Sequence, residues 1–140
     1  MKPVDELTDS ECSAVDFICT DIDDTLTQEG RLCRESYDAL WLLHNAGYTL
    51  VPVTGRPAGW CDCILRQWPV DAIIGENGAF AMYREGRVLK MMRHPNVYPE
   101  GSGSTRFDAV KKRVAEEIPG AAVAKDQPYR LYDLAFDFSE

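Results

Sequence analysis

The sequence is short of positive charge: 15 lysines and arginines face 23 aspartates and glutamates, for a net charge of −8. Such a surface repels nucleic-acid phosphates and anionic lipid headgroups, so neither a nucleic acid nor a membrane is an expected partner. Histidine occurs only at His44 and His94, too far apart in sequence to form a metal-binding pair by spacing. No apolar run approaches the roughly 18 residues needed to cross a bilayer. The start, Met1-Lys2-Pro3-Val4-Asp5-Glu6, lacks the apolar core of a secretory leader, and the expected location is cytoplasmic. The five cysteines, Cys12, Cys19, Cys33, Cys61 and Cys63, include no C-x-x-C pair. Cys61-x-Cys63 has no second Cys/His pair to complete a zinc site, so the thiols are expected to be reduced and mostly buried. Nothing in the spacing supplies a base for a catalytic thiol. Gly101-Ser102-Gly103-Ser104 lacks the Gly-Lys-Ser/Thr of a phosphate-binding loop and reads as a flexible connector.

What the chain does have is enough apolar residue, 45% of 140, for one compact domain. Residues 1–13 are polar and read as a mobile lead-in. Residues 15–20 read as a buried strand. Tyr37, Leu40, Trp41 and His44 fall at helical spacing, and Gly47 stands where a left-handed residue ends a helix. Residues 48–53 form a second apolar stretch. Pro57 suits the first turn of a helix carrying Trp60, Ile64 and Trp68 on one stripe, and residues 70–74 make a third short strand. The order β-α-β-α-β implies a parallel sheet with helices on its faces, where ligands bind at the carboxyl ends of the strands. Three polar loops fall there: the acidic run after residue 20, Thr54-Gly55-Arg56, and Glu76-Asn77-Gly78. A hairpin is expected around Arg84-Glu85-Gly86. A helix is expected from Ser104 or Thr105 to about Ile118, with Phe107, Val110, Val114 and Ile118 inward. Leu134, Phe136 and Phe138 alternate as in a half-buried strand.

The run Thr20-Asp21-Ile22-Asp23-Asp24-Thr25-Leu26 carries the chemistry. Two carboxylates two residues apart, just past a strand, repel one another. A divalent cation or a phosphoryl-transfer site explains why that cost is tolerated; a chance acidic loop is the plainer alternative. A carboxylate can attack phosphorus if a cation screens the repulsion and a second acid protonates the leaving alkoxide. Asp21 and Asp23 can fill those two roles, with Mg²⁺ as the suitable hard cation. Thr54 can donate its hydroxyl to a phosphoryl oxygen, as can the N–H groups near Ile22 and Gly55. Thr25 is placed to hold the loop.

Asp21-Ile22-Asp23-Asp24-Thr25-Leu26 resembles motif I, D-x-D-x-T, of the haloacid dehalogenase-like (HAD) hydrolases. Val51-Pro52-Val53-Thr54-Gly55-Arg56 resembles their motif II. Gly75-Glu76-Asn77-Gly78-Ala79 is similar to the segment preceding the large α/β cap of the Cof-type and sugar-phosphatase branch. The resemblance covers about residues 15–80. It implies an α/β fold: a Rossmann-like three-layer sandwich with a parallel sheet, here an incomplete HAD-like core (14–92) followed by the start of an α/β cap (93–140). It implies a Mg²⁺-dependent phosphohydrolase acting through an aspartyl-phosphate on a sugar phosphate or other small phosphorylated metabolite. Asp21 is then nucleophile and metal ligand, and Asp23 is general acid/base and metal ligand. Thr54, Gly55, Arg56 and Asn77 lie at the substrate. Arg56 as a helix-start residue and Asn77 as a turn former are the plainer readings.

The family's later lysine and its acidic G-D-x-x-x-D segment have no counterpart here, and the chain is expected to be the front part of a longer enzyme. Its first strand would then keep an open edge, inviting self-association or pairing with another chain. A reduced domain that keeps a phosphate and Mg²⁺ pocket but turns over little is the alternative.

Overall fold

The computed structural model describes residues 2–97 and 105–137. The lead-in forms a 3₁₀ turn, Val4–Glu6, and a single helical turn, α1 (Asp9–Cys12), closed by a Thr8/Glu11 capping box. β1 (Phe17–Asp21) then runs through a small hairpin, β2 (Thr27–Gln28) and β3 (Arg31–Leu32), into α2 (Arg34–Asn45). Left-handed Glu29 and Gly30 (φ 50° and 72°) make that hairpin's turn. β4 (Thr49–Val53), α3 (Ala58–Gln67) and β5 (Ala72–Gly75) follow, then the hairpin β6 (Phe80–Glu85) and β7 (Val88–Arg93). α4 (Thr105–Glu117), a short pair β8 (Ala122–Val123) and β9 (Phe136–Asp137), and a 3₁₀ turn Gln127–Tyr129 between them complete the described elements. The glycine-serine connector, the Ser104 cap and Phe138 lie outside the described residues.

One five-stranded sheet has the order β1-β4-β5-β6-β7. Its first three strands are parallel and its last two antiparallel, as the sequence pattern implied. The alternation of a strand sorts its residues between two faces. One face buries Leu50, Pro52, Ile73, Phe80 and Met82 against Leu40 of α2 and Ala58, Cys61, Ile64 and Leu65 of α3. The opposite face carries Phe17 (65% exposed), Tyr83 and Met92. The described residues therefore supply two layers of the expected three. β1 stands at the edge with no strand on its outer side among the described residues. Its residues are half-buried at best, not buried as the apolar run implied, because one face and one edge are uncovered.

Three stripes read from helical spacing rotate in the structure. α2 turns Leu40 and Leu43 inward, while Trp41 and His44 form an edge-on aromatic contact outside. α3 buries Ala58, Cys61, Ile64 and Leu65, and its Trp60 points outward, 48% exposed. α4 buries none of its residues: Val110 is exposed, as is Ile118 just past its end. Only Cys61 of the five thiols is buried. Cys63, two residues on, is exposed, so the pair faces opposite ways and cannot chelate one ion. Burial, then the nearby Glu76 carboxylate, pushes the Cys61 thiol up to about 12.

Gly75 ends β5 where a Cβ would fall on the Phe80 ring and 2.7 Å from Cys61 Sγ. Gly75→Ala is expected to destabilise the fold by about 1–3 kcal/mol, read from urea unfolding; an unchanged midpoint would show that the core has room there. Iodoacetamide at about pH 8 is expected to label Cys19 and Cys63 in the folded chain and to reach Cys61 only after unfolding.

Candidate active site

Ile22 is fully buried, and both of its neighbours are left at the surface. Its carbonyl accepts the N–H groups of Thr25, Leu26 and Thr27 at 3.3, 2.9 and 3.0 Å, and the Thr27 hydroxyl at 3.1 Å. The buried Thr27, not the exposed Thr25, therefore ties off the loop, and its oxygen also accepts the Asp24 N–H at 3.3 Å. Asp21 Oδ1 accepts the Ile22 N–H at 2.8 Å. Its other oxygen has no hydrogen bond among the described residues.

The parallel register sets Asp21 opposite Val53. Thr54 is thus one residue further along the neighbouring strand, roughly 4.8 Å across. Thr54 is buried; its N–H donates to Ile74 O at 2.9 Å, and its Oγ1 accepts the Arg56 N–H at 3.1 Å. The hydroxyl hydrogen stays available for another acceptor. Arg56 grips Asp23 from the same loop: Nε lies 3.1 and 3.0 Å from the two carboxylate oxygens, and Nη2 2.5 Å from Oδ1. That bond, against the opposing effect of burial, holds the guanidinium above its ordinary pKa. The same guanidinium lies 4.8 Å from the centre of the Trp60 ring. Gly55 lets Asn77 close in, since a Cβ there would sit 3.0 Å from Asn77 Oδ1. Asn77 donates its N–H to Thr54 O at 3.2 Å and its Nδ2 to Asp133 Oδ2 at 3.3 Å. Asp21, Asp23, Thr54, Gly55, Arg56 and Asn77 therefore share one edge of the sheet.

Two residues unmarked in the sequence reading bind this edge to the far end of the chain. Glu76 is 2% exposed and left-handed (φ 46°). Its Oε1 accepts the N–H groups of Ala58 and Leu131 at 3.0 and 2.8 Å. Its Oε2 accepts those of Tyr132 and Asp133 at 2.6 and 3.0 Å. The charge thus lies at the start of α3, where the helix dipole favours it. Arg130 donates to Gly55 O at 2.9 Å and pairs with Asp126 and Asp133. Burial works to lower its pKa, and its bonds to the two aspartates outweigh that and raise it. The available signal for Glu76 was an acidic residue set between a glycine and an asparagine straight after an apolar strand.

A family model described as haloacid dehalogenase-like hydrolase matches residues 18–97, which contain every one of those edge residues. The chain belongs to the haloacid dehalogenase-like hydrolases. No curated protein sequence matches it. Among solved structures, a Thermoplasma acidophilum protein aligns with a TM-score of 0.70 at 13% identity, over 89% of this chain and 52% of that one. A phosphatase of the haloalkanoate superfamily from Bacteroides thetaiotaomicron aligns at 0.57 and 24% identity, over 89% and 43%. A haloacid dehalogenase-like hydrolase from B. subtilis aligns at 0.56 and 22%, over 79% and 36%. This hydrolase chain spans about half or less of the length of these relatives, and their likeness shows the shared α/β fold.

Magnesium is the ion this family implies. Among the described residues, no three carboxylate, imidazole or thiol groups converge on one point. The donors the hydrolase does offer at the end of β1 are carboxylate and carbonyl oxygens, which suit a hard cation that keeps several waters and shares substrate phosphate. The chemistry of the set fits, as part of a shell. No helix is long and apolar enough to cross a membrane, among the described residues.

Glu76→Gln puts an amide NH₂ against two N–H donors. It is expected to cost on the order of 3 kcal/mol in urea unfolding and to speed hydrogen exchange at Leu131, Tyr132 and Asp133. Unchanged exchange at those amides would refute the role given to this carboxylate.

Proposed function

We propose that the chain carries the nucleophile half of a phosphomonoesterase that works through an aspartyl-phosphate on a small phosphorylated metabolite, a sugar phosphate foremost. The observation that carries the reading is the register of β1 on β4, which sets the exposed Asp21 beside Thr54 at the carboxyl edge of parallel strands. A phosphoryl group at that edge meets the free oxygen of Asp21, the Thr54 hydroxyl and the Arg56 guanidinium together.

In this reading Asp21 forms the new P–O bond as the ester P–O bond breaks. The leaving alkoxide takes its proton from the Asp23 carboxyl. Water then attacks phosphorus, Asp23 accepts the water's proton, and the P–O bond to Asp21 breaks. Mg²⁺, held by Asp21 and Asp23, supplies screening between nucleophile and phosphate. Asp23 must first leave Arg56, because a carboxylate gripped by a guanidinium holds no proton to give. The phosphoryl oxygens are the competing anion that can draw the guanidinium away. Thr54 orients the phosphoryl group from its buried position, where a fixed donor costs no reorganisation during reaction.

A second reading, a pocket that binds phosphate with little turnover, is favoured by the absence of a third ligand group among the described residues. Hydrolysis of an aryl phosphate with Mg²⁺ separates the two. Asp21→Asn is expected to lower the rate by about 10³-fold or more, and activity that survives it would sink the nucleophile assignment. Phosphate binding without hydrolysis in the wild type would establish the second reading.

A further inference from the structure

The outward turn of Trp60 is the residue placement that the hydrolase fold itself does not need. Helical spacing put this indole in the core; the structure leaves it 48% exposed, with Arg56 on one side of its ring. It borders a cavity of about 520 Å³ whose other walls include Arg56, Lys125, Tyr129, Arg130 and Asp137. That volume lies in the range of small-molecule sites. The cavity adjoins the acidic loop, because Arg56 is both its wall and the partner of Asp23.

The aromatic wall depends on a close approach. A Cβ on Gly59 would sit 3.2 Å from Tyr129 Cβ, so α3 and the Gln127–Tyr129 turn come together where only glycine leaves room. Trp60 and Tyr129 border a second cavity together as well, with Gly59 and Cys63. Tyr129 is itself 61% exposed. Two flat apolar surfaces thus remain in water at the mouth of the site.

The polar walls narrow the ligand further. Arg56 is engaged by Asp23, and Arg130 by Asp126 and Asp133. Lys125 and Asp137 line the cavity in no ion pair among the described residues. They leave one strong donor and one strong acceptor with no surplus of positive charge. A second phosphate or carboxylate would meet Asp126 and Asp137 and be repelled. Hydroxyl groups satisfy both donor and acceptor, and the C–H face of a ring satisfies the aromatics.

We propose that this cavity is the leaving-group subsite and takes the ring of a cyclic sugar monophosphate. Trp60 and Tyr129 lie against the apolar face of that ring, and Lys125 and Asp137 bind its hydroxyls. The assignment rests on the phosphohydrolase reading above, since it places the phosphoryl group at Asp21 and the ring beyond Arg56.

Isothermal titration of the full chain with Mg²⁺ tests it, using inorganic phosphate, glucose 6-phosphate and its open-chain counterpart sorbitol 6-phosphate, with released phosphate monitored. The wild type is expected to bind phosphate and to prefer the cyclic ligand by about tenfold. Trp60→Ala and Tyr129→Ala, both at exposed positions, are each expected to shrink that ratio to about threefold or less. Equal affinity for the two sugars in a wild type that binds phosphate overturns the subsite and leaves the phosphohydrolase reading standing. So does a ratio that survives both substitutions. Binding of none of the three ligands overturns both. Glucose 1,6-bisphosphate binding more tightly than glucose 6-phosphate would also overturn the charge argument.

Discussion

A buried carboxylate with no cationic partner of its own organises this molecule. Removing an ionised carboxyl from water costs several kcal/mol unless its lone pairs are filled. Glu76 fills its own with four backbone N–H groups, one from the start of α3 and three from consecutive residues near the chain's far end. Those donors come from segments more than fifty residues apart, so the charge is tolerable only when the 131–133 segment is seated. The arrangement converts a local penalty into a tertiary constraint. Arg130 and Asp133 then reach Gly55 and Asn77, and the strap becomes a wall of the site.

The three polar loops at the sheet edge were legible because strand order and turn chemistry determine them. Asp21, Thr54 and Asn77 each follow an apolar stretch that could only be a strand, and parallel pairing brings their ends together. What escaped was information that no local pattern carries. Spacing identified helices correctly but not their rotation: Trp60 and Trp41 look like core residues by hydrophobicity and lie outside, while small Ala58 and Cys61 sit inside, because the sheet face is already filled by Phe80 and Ile73. Thr27 and Thr25 are equivalent in sequence, and only the burial of Ile22 chooses between them. Glu76 was unreadable because its partners are backbone groups, which have no signature in sequence.

The charge pattern and the exposed surfaces divide the fold into two unlike regions. The helix-covered face is closed by branched and aromatic side chains and has a single well-filled core. The other face leaves Phe17, Tyr83 and Met92 in water beside an unpaired strand edge. Open apolar sheet faces with free edges are surfaces that proteins ordinarily cover. The acidic loop sits where that edge and the site meet, so repulsion among carboxylates and unsatisfied sheet edge occur within a few residues of one another.

Arg56 has a consequence of a different kind. One guanidinium touches both the acid, Asp23, and the indole that borders the cavity. A group with two neighbours cannot move for one without being felt by the other. Recognition and proton delivery are then thermodynamically linked through a single side chain, and the near-ultraviolet signal of Trp60 becomes a built-in reporter of the protonatable residue beside it.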